Sequence, residues 1–406
     1  MILKKLRLLL ILLGIFAFVA VFGDQVSPDI KSFFYAVSLS LKQILLFFIP
    51  FVIFSLVFYA LTSLKGGVFS FITKLVSCVY ASNFIAILMA YLVSSNILGH
   101  IQKPMEKAAA GSFNALAPMW SFKLPELISN EIALIAGFAC GIIFSLFPMP
   151  AAQKAAQVCN NAANFFLKRM FIPVLPLFIL GLVFKLQNDQ LLSHAVSICG
   201  PVFLLIVGLQ TTYMLFLYFV AAGFSPSRWM EYLKNIFPAS LTAFSSMSSI
   251  AAMPVTLIST EQNLKSSSLS RLLIPATVNI HTLGSAIGLT TLAVATSLAF
   301  NGVMPDFSTF LHYAVFYAFA KFSVAAVPGG AVAVAMPLME KYLGFTPEMT
   351  GLITVFYMMF DPFGTATNVT GNGAFAILFK KIARLKAPAG EAKEVAEDGE
   401  LLASRA

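Results

Sequence analysis

The sequence predicts an all-α integral membrane protein, and three observations carry that prediction. Of 406 residues, 59% are hydrophobic and only 11% are charged, where a soluble globular chain carries about 25% charged residues. Apolar runs long enough to cross about 30 Å of hydrocarbon, at about 1.5 Å of rise per helical residue, recur along the whole chain. The basic residues cluster at the ends of those runs, which is the pattern that orients membrane proteins. The net charge of +9 therefore reads as membrane topology, not as a nucleic-acid footprint. Length alone would suit two or three soluble domains, but no polar linker divides the chain. It is read as one membrane domain over 1–386 and a polar tail over 387–406.

Lys4, Lys5 and Arg7 precede the first apolar run at 8–23, and Lys380, Lys381, Arg384 and Lys386 follow the last. Both termini are expected on the cytoplasmic side, with an even number of spans. A basic start before an apolar stretch also fits a signal peptide, but no small-residue cleavage site follows, so 8–23 is read as a retained span. Ordinary spans are expected at about 36–64, 68–98, 165–186 and 195–224. The stretch 101–130 holds Gly, Pro, Lys and Trp120 and reads as a loop outside the membrane core, while 132–148 is apolar but short enough to be a broken span. The run 195–227 lacks any Asp, Glu, Lys or Arg, which suggests a tilted helix. Cys78, Cys140, Cys159 and Cys199 are scattered singly, without metal-ligand spacing, and read as packing residues.

Two later segments break the pattern. The charge-free stretch 235–260 concentrates Thr242, Ser245, Ser246, Ser248 and Ser249 ahead of Pro254. Non-helical backbone survives at membrane depth only where protein or water shields it, so a re-entrant hairpin is expected. In 308–343, Val327-Pro328-Gly329-Gly330 interrupts two apolar arms; Pro removes an amide donor and Gly permits a tight turn, which predicts a second hairpin. Long spans are expected after each, at about 272–300 and 349–385. Interrupted segments in corresponding positions point to the binding site of secondary transporters.

Asp361 is the one carboxylate in the apolar run 349–379, and an ionisable residue at that depth is functional by default; the bland reading is a capping residue. Asp361, Thr365, Asn368 and Asn372 recur at helical spacing, so they share one face. In 273–298 the polar exceptions are Asn279 and His281. Asn279 can offer an oxygen to a cation or a hydrogen bond to a neighbouring helix. His281 reads either as a packed structural donor or as a proton carrier. Lys321, inside the second hairpin, either snorkels to the interface or stands as an internal cation beside the site.

These residues resemble the dicarboxylate/amino acid:cation symporter family, the glutamate-transporter homologues. The resemblance spans nearly the whole chain and is strongest over 238–385. It is carried by the serine-rich tip Ser246-Met247-Ser248-Ser249 with Pro254-Val255-Thr256, by Val327-Pro328-Gly329-Gly330, and by Asn368-Val369-Thr370-Gly371. It implies eight transmembrane helices plus two re-entrant hairpins, a homotrimer in the inner membrane, and an elevator-type motion. In that motion a transport part, mainly 68–100 and 235–385, slides on a scaffold, mainly 1–70 and 130–225. Asp361 would hold a substrate ammonium and Asn368 its carboxylate. Ser248, Ser249, Val327, Pro328, Gly329 and Thr365 would complete the pocket.

The sequence also departs from the family. His281, in Asn279-Ile280-His281, and Asn372 stand where the family carries sodium-binding acids, which leaves Asn279, Asn368 and Asn372 as a neutral ligand set for Na+. Gly364 stands where carriers of acidic substrates place an arginine, removing the fork that would pair a side-chain carboxylate. The expectation is a cation-coupled symporter or exchanger of a small neutral amino acid, driven by Na+ or H+, with His281 and Lys321 modifying the coupling and no cofactor. A glutamate, aspartate or C4-dicarboxylate carrier is the alternative within the family. A channel would need a continuous polar pore, and an intramembrane hydrolase would need a base beside Ser248 or Ser249 or a second acid beside Asp361; neither is apparent, so no enzyme is expected.

Overall fold

The computed structural model describes residues 7–62, 69–101, 116–125, 127–189, 192–324 and 329–385. Lys4, Lys5, Val327, Pro328, Lys386 and the tail therefore lie outside the described residues. Fourteen α-helices and no strand occur among the described residues: α1 (Arg7–Phe22), α2 (Pro28–Thr62), α3 (Phe69–Ile101), α4 (Asn130–Leu146), α5 (Pro150–Phe165), α6 (Ile172–Asn188), α7 (Leu192–Ala221), α8 (Pro226–Ser246), α9 (Ser249–Leu264), α10 (Ser267–Thr277), α11 (Leu283–Asn301), α12 (Phe307–Ala320), α13 (Gly330–Leu343) and α14 (Pro347–Ile382). Five helical stretches are long and apolar enough to cross a bilayer, at Pro28–Thr62, Ser70–His100, Pro150–Asn188, Cys199–Ala221 and Leu283–Asn301, with shorter apolar helices at Leu10–Gln25 and Asn130–Leu146.

Local chemistry sets the ends of these helices. Pro347 opens α14 at its first turn, Thr346 accepts from the Met349 N–H, and Lys380 and Lys381 fall in the last turn, where they complement the negative end of the helix dipole. Helix pairs stand at both expected hairpin positions, with residues 325–328 of the second tip outside the described residues. In the first, α8 ends at Met247 in the left-handed region and Ser248 caps α9 by accepting from the Ala251 N–H. In the second, Asp306 caps α12, a short 3-10 turn spans Lys321–Ser323, and Gly329, at φ +76°, leads into α13.

Two boundaries differ from expectation. The helix read at 165–186 begins at Pro150 and passes through a π turn at Phe166–Phe171. Its first part was hidden because Gln153, Lys154, Gln157, Asn160 and Asn161 make it amphipathic rather than uniformly apolar. The span read at 272–300 is not continuous: α10 stops at Thr277 and α11 starts at Leu283. The freed backbone is satisfied by a side chain on α3. Asn83 Nδ2 donates to the Ile280 carbonyl at 2.8 Å, and its Oδ1 accepts from the Thr282 N–H at 3.2 Å.

The helices pack in two groups. One gathers α4, α5 and α6 around α2, with α1 against α6; the other gathers α3, α7, α8, α9 and α12 around α11 and α14. Every residue from Leu283 to Ala299 is buried, so α11 is the axis of the second group. Helices α11 and α14 cross closely because Gly284 lies against the Gly364 carbonyl, where any Cβ would collide with backbone; small residues allow such approaches in membrane bundles. Large apolar side chains such as Ile135, Phe147 and Leu204 are exposed, as a lipid-facing surface requires.

Candidate functional site

The two hairpins, the α10–α11 break and α14 converge on a cavity of about 30 Å³, lined by Ser249 from the first hairpin, Asn279 and Thr282 from the break, and Tyr357, Asp361 and Asn368 from α14. That is room for a water or two, so a larger ligand requires a hairpin to move. Thr365 also faces the cavity, and Asp361, Thr365 and Asn368 are all at least nine-tenths buried. Their shared face follows from the 3.6-residue period of an uninterrupted helix.

Among the described residues, Asp361 is the only charged one in the lining. Tyr357, one turn earlier on the same helix, and Ala331 of the second hairpin line the cavity with it. Asn368 commits its carbonyl oxygen to the Gly284 N–H at 2.8 Å and the Ser285 N–H at 3.4 Å. What Asn368 can offer a ligand is therefore its Nδ2 donor, the group a carboxylate needs. Among the described residues, Asn279 Oδ1 and Thr282 Oγ1 are buried without a hydrogen-bond partner, and both residues line the same cavity. Unpaired buried oxygens are rare.

Of the other predicted residues among those described, Ser248, His281, Lys321, Gly329 and Asn372 stand outside this lining. Ser248 uses its hydroxyl to cap α9, and Ser249 and Met247 line the cavity beside it. His281 is fully buried behind the site, with Nε2 2.9 Å from Ser82 Oγ and Nδ1 3.3 Å from Asn372 Oδ1. A neutral ring donating from Nδ1 and accepting at Nε2 satisfies both contacts. Asn372 Nδ2 is left as a buried donor without a partner among the described residues. Lys321 is fully buried, not snorkelling, and its ammonium donates to the Ser285 hydroxyl.

Sequence reasoning passed over Ser82, Asn83, Gln210, Ser285 and Tyr357. Ser82-Asn83 is a polar pair in the middle of the apolar run 68–98, and that interruption was the available signal. Gln210 donates to the Gly284 carbonyl at 2.9 Å and is likewise the one amide in the run 195–227. Tyr357 and Ser285 carry no such mark, since Tyr and Ser occur freely in membrane helices.

A larger chamber of about 580 Å³ adjoins the cavity and shares Val278, Asn279 and Val324 with it; Tyr59 of α2, Asn160 and Asn164 of α5 and Arg271 of α10 also line it. Its size suits a small molecule.

An all-helical bundle in which interrupted helices converge on a buried polar cavity has the architecture of a membrane carrier. The profile of the sodium:dicarboxylate symporter family matches residues 8–382, and the chain belongs to that family. Its members are transporters, not enzymes. No curated protein matches the chain.

Proposed function

We propose that this protein is a secondary active transporter of a small neutral amino acid, with the substrate ammonium on Asp361 and the carboxylate on Asn368 Nδ2 and the hairpin-tip amides. The observation that carries the reading is the lining itself: among the described residues it holds one carboxylate, neutral donors and acceptors, and no basic side chain. A second carboxylate on the substrate would enter a site whose one charge repels it. Gly364 supplies no guanidinium to offset that repulsion.

Sodium coupling is weakened in this reading. Of the three amides expected to serve Na+, Asn368 and Asn372 spend their oxygens on backbone N–H groups and on His281, and only Asn279 keeps an unpartnered oxygen. A hard cation needs several oxygens at once, and the unpaired Asn372 N–H group is a donor where a ligand oxygen would be required. The driving force then falls to a proton gradient or to exchange. The group of helices around α2 serves as scaffold and the group around α11 and α14 as the moving part, in a homotrimer of the inner membrane with both termini cytoplasmic; α7, expected in the scaffold from its place in the sequence, is assigned to the moving part because it packs on α11 and α14.

The test is binding and uptake by the purified protein in liposomes. L-Serine or L-alanine is expected to outcompete L-aspartate, L-glutamate and succinate, and uptake to follow a pH gradient more than a sodium gradient. Tight aspartate or succinate binding overturns the substrate assignment, and strict dependence on several sodium ions at constant pH overturns the coupling assignment.

A further inference from the structure

Arg271 stands in the second turn of α10, on the wall of the chamber of about 580 Å³ that adjoins the cavity. Among the described residues it is the only charged group in that wall, it is exposed, and it belongs to none of the ion pairs there, Lys42–Glu340, Lys185–Asp189 and Lys341–Glu131. An ionisable side chain that faces a chamber within a membrane bundle marks a substrate or ion path. Amides stand beside it with capacity to spare. Asn164 Nδ2 donates to the backbone carbonyl and to Oδ1 of Asn160 at 2.9 and 3.0 Å, which leaves the Asn160 Nδ2 donor for a ligand. Asn279, whose Oδ1 has no hydrogen-bond partner among the described residues, lines both the chamber and the cavity of Asp361. Val278 and Val324 are the other residues common to both walls. One amide and two valines thus form the shared boundary, with a carboxylate on one side of it and a guanidinium on the other. The chamber also has a side. Lys380 and Lys381 of α14 donate to the Leu264 carbonyl at the end of α9, at 2.9 Å, and to the Ala221 carbonyl at the end of α7, at 2.7 Å. Helix α10 starts at Ser267, just after Leu264, so Arg271 lies toward the end of the bundle that carries the C-terminal basic cluster. By the distribution of positive charge that end is cytoplasmic.

We propose that the chamber is a second binding subsite, specific for a carboxylate, with the Arg271 guanidinium as its recognition group, where cargo pauses between the cavity and the cytoplasmic side. A guanidinium offers a carboxylate two parallel N–H donors, and among the described residues no internal carboxylate competes for those of Arg271. Asn160 Nδ2 adds a neutral donor from α5. The two compartments divide the recognition of a zwitterion between them. Asp361 draws the ammonium into the cavity, and Arg271 draws the carboxylate out of it. Asn279 Oδ1 borders both spaces and is an acceptor for the ammonium as it leaves Asp361, so that the charge is not stripped of every partner in a single step. A cargo that lacks a carboxylate gains nothing from Arg271. The subsite stands on the chamber and its one charge; its part in cargo release rests on the assignment of Asp361 as the ammonium site.

Two measurements on the purified full-length protein test it. The first probes the subsite with propanoate, a carboxylate without an ammonium. In a background lacking the four native cysteines, Leu272→Cys or Ala276→Cys places a thiol in the chamber wall on the same helix as Arg271, and its labelling by a small neutral methanethiosulfonate is timed. Choline propanoate is expected to slow labelling at least about threefold as the charge-assisted site fills, while choline chloride at equal ionic strength and propanamide do not. Arg271→Gln is expected to abolish the protection, and Arg271→Lys, which keeps the charge without the fork, to weaken it. Absence of protection by propanoate, equal protection by chloride or propanamide, or protection that survives Arg271→Gln overturns the proposal. Should Arg271→Gln fold poorly, Arg271→Lys decides, because protection equal to that with arginine overturns the fork. The second measurement is L-serine counterflow in liposomes beside equilibrium binding. Arg271→Gln is expected to slow exchange about tenfold, the loss of one charge-assisted contact on the path, with affinity nearly unaltered. A wild-type exchange rate in that variant overturns the role in release. Absence of L-serine binding by the wild type would instead fault the substrate assignment, and the propanoate labelling then decides the subsite alone.

Discussion

Asp361 shares its cavity with Tyr357, one turn earlier on its own helix, and with Val324 and Ala331 of the second hairpin. The hairpin therefore lies beside the residue expected to hold the substrate, so ligand binding and hairpin position should report on each other. Replacing Asp361 by Asn keeps the shape and removes the charge. Hydrogen bonds to charged groups are worth about 1.5–3 kcal/mol, so amino-acid affinity should fall roughly tenfold to hundredfold or beyond detection. Titration calorimetry on Asp361→Asn checks this, and wild-type affinity in that variant would remove Asp361 from the site. Asn368 makes a different kind of contribution, because its oxygen caps the start of α11 through Gly284 and Ser285. Asn368→Asp would place a second negative charge in the cavity in place of the Nδ2 donor. It should weaken binding of any carboxylate-bearing substrate while leaving the cap intact, a combination that binding and thermal unfolding together would resolve.

At the level of elements, the α10–α11 break matters most, because it brings non-helical backbone to the cavity. Such backbone is stable at membrane depth only when its polar groups are satisfied, and Asn83 on α3 satisfies two of them. Asn83→Leu fills similar space but orphans the Ile280 carbonyl and the Thr282 N–H. At about 1–3 kcal/mol for each buried unsatisfied group, the variant should be destabilised by several kcal/mol, visible as a lowered melting temperature; an unchanged melting temperature would mean that the break is supported by other contacts. The hairpin tips offer a second test. Ser249 and Ala331 line the same small cavity from opposite hairpins, so cysteines introduced there in a background lacking the four native cysteines should be bridged by a short bifunctional reagent. A bulky substrate analogue that holds the second hairpin open should suppress that bridge, and cross-linking indifferent to ligand would argue against the hairpin as a gate.

For the whole molecule, the two helix groups meet at a set of polar contacts involving the outer part of the second hairpin. Lys42 of α2 pairs with Glu340 of α13 at 2.7 Å, Glu131 of α4 pairs with Lys341 at 2.7 Å, and the Tyr35 hydroxyl donates to Glu348 at 2.7 Å. The Lys42 side chain is only 5% exposed, so this pair is shielded from water and is not screened as a surface pair would be. Any sliding of one group on the other has to separate these partners. We predict that the double variant Lys42→Met with Glu340→Gln changes the rate of substrate exchange several-fold while leaving substrate affinity nearly unaltered, whereas Lys42→Met alone, which strands a carboxylate, behaves worse than the pair. Counterflow rates alongside equilibrium binding separate the two quantities. An exchange rate equal to wild type in the double variant would show that these contacts do not resist the motion.

Much of this organisation was legible in one dimension. A membrane chain announces its class through composition, and the hairpins were visible because hydroxyls, Pro254 and the Pro328-Gly329-Gly330 run interrupt apolar sequence where lipid would forbid it. Asp361, Thr365 and Asn368 were legible for the same reason, since a buried acid and amides at a 3.6-residue spacing need no neighbours to be noticed. Partnership was not legible. Whether Lys321 reaches the interface or turns inward depends on Ser285 and Tyr317, which lie 36 and 4 residues away. Whether Asn279 sits in a helix or a break depends on Asn83, about 200 residues earlier. The period of one helix is a property of its own backbone and can be read from the chain. The satisfaction of a buried charge or a freed carbonyl is a property of the groups that surround it, and only the packing of α3, α11, α14 and the two hairpins decides which groups those are.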